Sequence, residues 1–390
     1  MTALRGIWLV CAFAAVLAGC KPAPGPAPAP APAPAQTPSV PPVKVGLFLP
    51  LSGPQWSFGR DALRGAELAR DEINAAGGLL GRPVEFVLLD TRSDLKTAGA
   101  APGELAAAGA VALIGEIASP RSVEAARAAQ ALGKPMVTPA STHQDVTAVG
   151  DFVFRACYAD PFQGTAMADF ASSIQAARAA IIREQGNPYS EGLADSFRAR
   201  FLANGGTVVA EEIFRAGDLT FARQLEAVRA AKPDVIFLPS YYVEAALLIR
   251  EARQMGIDAP FLGGDGWDSE EFLRVAGAAA DNCYSANHFS SDAPRTANAA
   301  FIAAFQTRFG EPPPPLAALT YDTVRLVADA VGRAGSEDAA AIKDALASTS
   351  AFPGLTGPIT PGPDRNPGKP AVILRVQDGK FSYLETVEPH

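Results

Sequence analysis

The chain has 390 residues, 48% of them apolar, and a formal net charge of −8. That length supports two packed domains, because single cores stop growing near ~250–300 residues. The acidic balance leaves no basic face for nucleic acid, and three histidines with four cysteines are too few for a rich metal or redox chemistry.

The first twenty residues, MTALRGIWLVCAFAAVLAGC, place Arg5 ahead of an apolar stretch from Ile7 to Ala18. The stretch falls short of the ~20 residues a membrane-spanning helix needs, and the pattern is that of an export signal. Its end, LAGC, resembles the bacterial lipobox, whose cysteine becomes the lipid-modified first residue of the mature protein; Cys20 is then the anchor. Residues 21–42 alternate proline with alanine, which favours an extended polyproline II spacer rising ~3.1 Å per residue. Cys11 leaves with the signal, so Cys157 and Cys283 remain in an oxidising compartment. They form either the one available disulfide or two buried thiols.

From Val43 the sequence alternates apolar runs with amphipathic segments. VKVGLFLPL reads as a strand, DALRGAELARDEINAAGG as a helix stopped by glycines, and PVEFVLLD as the next strand. Helices over 97–108 and 121–132 lead into and out of the strand VALIGE, and KPMVTPA follows. Uniformly apolar strands separated by helices argue for a parallel sheet covered on both faces.

The order then repeats. ARAAIIRE, SEGLADSFRARFLANGG and TVVAEEIF give strand, helix and strand. Helices over 220–231 and 243–255 flank DVIFLPS and lead to APFLGGDG. Two successive α/β units of this kind predict two similar Rossmann-like lobes. The remainder supplies the segments TANAAFIAAFQTRFG and LAALTYDTVRLVADAVGRAG, read as helices, and a hairpin turning at Asp378-Gly379. The chain is expected to cross between lobes more than once. Lobe I is assigned residues 43–157 and 285–353, and lobe II residues 158–284 and 354–390.

Ligands of open parallel sheets bind beyond the carboxyl ends of the strands. There the first unit offers hydroxyls and free amides at Ser119, Ser141 and Thr142, and the second offers Tyr189, Tyr241 and a lone acid, Asp265, set between glycines. Hydroxyls and amides near helix starts suit a carboxylate, and an unpaired buried carboxylate is costly until a cation meets it. Together they read as a receptor for a small zwitterion. The competing reading makes Asp265 a cap for the helix near Ser269, makes Ser119 and Thr142 ordinary caps, and makes the tyrosines packing residues. DGWDSEE lacks the spacing of a calcium loop, so no metal is expected. No G-x-S-x-G elbow accompanies His143. His288, near a crossover, and His390 read as solvated.

The segment LPLSGPQWSFGRDALRGAELARDEINAAGGLLGRPVEFVLLD, followed by LIGEIASP, PMVTPAST, NPYSEGLADSF and APFLGGDGW, resembles the type I periplasmic binding proteins of the leucine/isoleucine/valine-binding family from Val43 onward. The resemblance implies two lobes joined by three hinge segments, closing over an amino acid that is delivered to an ABC permease and ATPase. It also implies a monomer that needs no cofactor, performs no catalysis, and works in the periplasm or at the cell surface. Ser119 then matches the carboxylate-binding serine, Ala140 and Thr142 match residues touching both ligand termini, and Tyr189 and Tyr241 match the far-lobe aromatics. Asp265 stands where leucine-type proteins usually carry glutamate, and Phe58 where they carry tyrosine. Trp56, Phe58 and Trp267 are expected to border the side-chain pocket. The leucine-type disulfide falls in the first lobe, whereas Cys157 and Cys283 fall at two predicted hinge strands. A ligand-sensing receptor, or a binder of an amide, aromatic acid or sugar, is the alternative.

Overall fold

The computed structural model describes residues 40–294 and 298–389. The export signal, the Cys20 lipidation site, residues 21–39 of the linker and His390 lie outside the described residues. No helix among the described residues is long and apolar enough to cross a membrane.

The first half contains β1 (Val43–Leu49), α1 (Trp56–Ala75), β2 (Val84–Asp90), α2 (Leu95–Ala107) and β3 (Ala112–Gly115). It continues through α3 (Ser119–Ala131), β4 (Met136–Thr138), the short α4 (Asp145–Ala148) and β5 (Val153–Arg155). These strands form one parallel sheet in the order β2-β1-β3-β4-β5.

The second half runs α5 (Asp160–Ser173), β6 (Arg178–Glu184), α6 (Pro188–Ala203), β7 (Thr207–Phe214), α7 (Ala222–Ala231) and β8 (Val235–Phe237). After it come α8 (Tyr242–Gln254), β9 (Phe261–Gly263), a 3₁₀ turn (Asp265–Trp267), α9 (Glu270–Ala276) and β10 (Cys283–Asn287). Its sheet has the order β7-β6-β8-β9-β10 at its parallel end, the same winding as the first. The repeat in the sequence is therefore a repeat in topology: two α/β lobes, each with a parallel sheet. The short strands β4, β8 and β9 are buried at every residue, as strands covered on both faces must be.

The rest of the chain serves both lobes. Helices α10 (Ala299–Phe309), α11 (Pro315–Ala334) and α12 (Ala339–Ala347) return to the first lobe. There Arg308 pairs with Glu67 and Asp71 of α1, and the Tyr321 hydroxyl donates to Glu72 at 2.5 Å. Gly65 makes this crossing close, because a Cβ there would lie 2.0 Å from the Ala317 carbonyl oxygen. A small hairpin, β11 (Phe352–Gly354) with β12 (Gly357–Ile359), follows. Asp322 of α11 holds it by accepting from the Leu355 and Thr356 amides at 2.8 and 2.9 Å. Finally β13 (Ala371–Gln377) and β14 (Lys380–Val387) join the second sheet antiparallel. Asp378 and Gly379 both take positive φ at their turn, the backbone of the tight hairpin that Asp-Gly favours.

The chain thus passes between the lobes three times: after β5, after β10 and before β13. The expected lobe boundary at residues 284/285 cuts through β10, which lies wholly in the second sheet.

Cys157 and Cys283 are not bonded; both are buried free thiols. Cys157 follows the last strand of the first sheet and turns its thiol to the Ser141 carbonyl at 3.4 Å, whereas Cys283 opens β10 of the second. Each is held by a different sheet, and burial pushes both thiols up to about 12.

Candidate functional site

A cavity lies where the carboxyl ends of the two sheets face each other. The first lobe contributes Phe58, Ile117, Ser119, Ala140, Thr142 and Leu316, and the second Tyr189, Tyr241, Asp265 and Gly266. Among the described residues no lysine or arginine lines it.

The first-lobe wall starts from α3. Its N-cap is Ala118, which offers no side-chain acceptor. Ser119 does not cap its own helix either; its hydroxyl accepts the His143 amide at 3.2 Å and so ties the 140–143 loop to α3. The buried Arg155 holds that loop from behind, donating to the carbonyls of Thr142 and His143 at 2.5 and 2.6 Å. With its carbonyl fixed rearward, Thr142 lines the cavity, and its hydroxyl meets hydrogen-bond geometry with no protein partner among the described residues. Hydroxyls beside a helix start, where the dipole is positive, favour an anionic group.

The second-lobe wall is built on Asp265. Ser269 caps α9 through its own side chain, accepting the Glu271 amide at 3.0 Å, which leaves Asp265 no capping work there. Its carboxylate instead accepts from Gln163 Nε2 at 3.0 Å and meets His288 Nε2 at 3.1 Å. Both contacts are made by buried side chains. Burial lowers the His288 pKa, against the opposing pull of Asp265, so the imidazole is a neutral donor at pH 7. Asp265 therefore faces the cavity with its negative charge held in place and not cancelled.

Tyr189 and Tyr241 stack with ring centroids 4.9 Å apart, and the Tyr189 hydroxyl accepts the Gly266 amide at 2.8 Å. Phe58 meets Tyr241 and Tyr242 edge-on at 6.1 and 4.9 Å. These rings, with Ile117 and Leu316, give the cavity an apolar flank between its two polar ends. Behind Thr142, burial pushes the Asp160 carboxyl up to about 8.

Three expected site residues stand elsewhere. Trp56 is 38% exposed at the start of α1, with Arg60 over its ring. Trp267 is fully buried, stacked on Phe272 and pressed against Gly263. Ser141 faces the interior of its lobe, bonded to Ser122 at 2.6 Å and to the Ile117 carbonyl at 2.8 Å. Conversely, Gln163 and Leu316 belong to the site but carry no strand-end signature, and His288 belongs to it as the residue directly after β10. His288, expected to be solvated, is only 3% exposed; it is removed from water by stacking on Tyr158 at 3.8 Å.

The family profile of the periplasmic binding proteins matches residues 42–380. The chain belongs to this family. This binding protein is 30% identical over 323 residues to the Leu/Ile/Val-binding protein BraC3 of Rhizobium johnstonii, a match covering 82% of this chain and 87% of that one. Among solved structures it is similar to the leucine-binding protein LivK of Thermotoga maritima, with a TM-score of 0.86 and 35% identity over 89% of this chain and 99% of that one. It is equally similar to LivJ of Streptococcus pneumoniae, a branched-chain amino acid transporter substrate-binding protein solved with isoleucine. That match has a TM-score of 0.85 and 35% identity over 89% of this chain and all of that one. The α/β fold of two lobes with parallel sheets is common to this binding protein and those two.

Proposed function

We propose that this protein captures an aliphatic or other apolar amino acid in the cleft and presents it to an ABC importer from the periplasmic side. The observation that carries this reading is the lone Asp265 charge, fixed by neutral donors and facing a cavity without a cation. A ligand ammonium supplies the missing positive charge. Its carboxylate meets the Ser119 and Thr142 hydroxyls near the start of α3, and its side chain lies against Phe58, Ile117 and Leu316. Relatives named for leucine, isoleucine and valine binding support the same ligand class. An aromatic acid without an ammonium group would leave Asp265 buried and unpaired, which is costly.

The role is binding without catalysis. Both lobes touch the ligand, so the ligand shifts the equilibrium towards the closed state. Attachment to the membrane through a lipid on Cys20 and delivery to a permease complete the reading.

Titration calorimetry with L-leucine, L-isoleucine and L-valine tests it. Wild-type protein should bind at least one of them. Asp265→Ala should lose ~2–5 kcal/mol, roughly thirtyfold or more in Kd, while keeping its circular dichroism. Unchanged affinity in that variant would overturn the assignment.

A further inference from the structure

His288 lies just beyond β10, in the second passage between the lobes, and its ring stacks on Tyr158 from the first passage. The imidazole is therefore set where two crossovers meet and reaches Asp265 from the hinge side. A carboxylate oxygen 3.1 Å from Nε2 requires the proton on Nε2, which leaves Nδ1 bare; Nδ1 has no hydrogen-bond partner among the described residues. The groups facing His288 are few. Asp265 favours its charged form, while the Lys369 ammonium and burial oppose it. Lys369 is itself directed at the Ala156 carbonyl, 2.8 Å away.

This arrangement gives the ring two states with opposite consequences for the cavity. As a neutral donor, with Gln163 on the other oxygen, it orients the carboxylate and leaves a full negative charge for the ligand. With a second proton it becomes the counter-ion of Asp265, and an arriving ammonium then meets a pair that is already neutral. Ligand and proton compete for one charge.

We propose that His288 positions Asp265 for the ligand ammonium group and, by taking up a second proton, withdraws the charge that holds it, so that capture weakens as the medium turns acid. The proposal rests on the amino-acid reading above. It concerns the acid side of neutrality; Asp160, held near 8 by burial, titrates at the other end of the range.

The test uses the full chain and L-leucine as probe, with calorimetry from about pH 7 downward through the range below an ordinary histidine's ~6.5, to the lowest pH at which circular dichroism shows the chain folded, because burial lowers the His288 pKa. Wild-type Kd should rise on acidification by up to about tenfold per pH unit, the limit for one linked proton. His288→Gln, which keeps an amide donor, should lose that slope, read as the ratio of its own Kd values across the range whatever its affinity at the alkaline end. A flat wild-type profile, or the same slope in His288→Gln, overturns the proposal.

NMR of the imidazole supplies a readout independent of ligand and of the variant's folding. In ligand-free Asp265→Asn the His288 titration should move to lower pH than in wild type, because the carboxylate that favours the imidazolium is gone. An unmoved titration overturns the proposal. If none of L-leucine, L-isoleucine and L-valine binds at any pH, the amino-acid reading fails, and this comparison still decides the His288–Asp265 link.

Discussion

The Ser57 hydroxyl in the first turn of α1 and the Ser269 hydroxyl that caps α9 lie 2.9 Å apart, both buried, one on each lobe. Nearby the Tyr242 hydroxyl donates to the Pro54 carbonyl at 2.8 Å and the Leu316 amide donates to Asp268 at 3.0 Å. The Arg60–Glu270 pair at 3.3 Å is exposed enough that it contributes little. The buried hydrogen bonds are what the closed lobes exchange for water.

Ser57→Ala removes the partner of Ser269 without touching the α9 cap. A buried neutral hydrogen bond contributes ~0.5–1.5 kcal/mol, so L-leucine Kd should rise about twofold to twelvefold. Opening breaks this contact, so the change should appear in the dissociation rate. Stopped-flow displacement measures that rate directly, and an unchanged value would mean that closure does not use the contact.

Phe58 sets the width of the side-chain end of the cavity. It is 2% exposed and locked edge-on against two tyrosines. Phe58→Ala should weaken L-leucine by about tenfold or more, since burying a large apolar side chain is worth ~1.5–3 kcal/mol. L-phenylalanine should lose less, because the vacated ring volume accepts its side chain. The ratio of the two Kd values by calorimetry is the measurement. An equal loss for both would place the side-chain pocket elsewhere.

The parts of this site legible in the sequence are those fixed by strand ends. The uniformly apolar runs at β3, β4 and β9 locate the sheets, and whatever follows them, Ser119, Thr142 and Asp265, must stand at the cleft. Which way a loop residue points is another matter. Ser141 and Thr142 are neighbours, yet one turns into the lobe and the other into the cavity, because Arg155 fixes the carbonyl of Thr142 from a strand thirteen residues on. Trp267 similarly turns away from the cleft because Gly263 leaves room for its indole. Gln163 was illegible because it lies inside α5, 102 residues from Asp265 in the chain; His288 directly follows β10, but its burial against Tyr158 depends on the crossovers lying side by side.

Glu184, at the end of β6, gives a pH signature separate from ligand capture. Burial raises its pKa to about 7, with the Asn187 amide opposing and the nearby Glu244 charge adding to the rise. The native state therefore holds this proton more tightly than the unfolded chain, whose glutamates titrate near ~4.3. The stabilisation is full below that value and is lost as pH rises towards about 7. Above it the protein carries a buried carboxylate at a cost. Glu184→Gln keeps the oxygen that accepts from Asn187 Nδ2 and removes the charge. Its unfolding midpoint should exceed that of wild type by a few degrees at about pH 8 and match it at about pH 4 or below. Differential scanning calorimetry at the two pH values checks this. A gain of equal size at both would assign the effect to packing rather than to the proton.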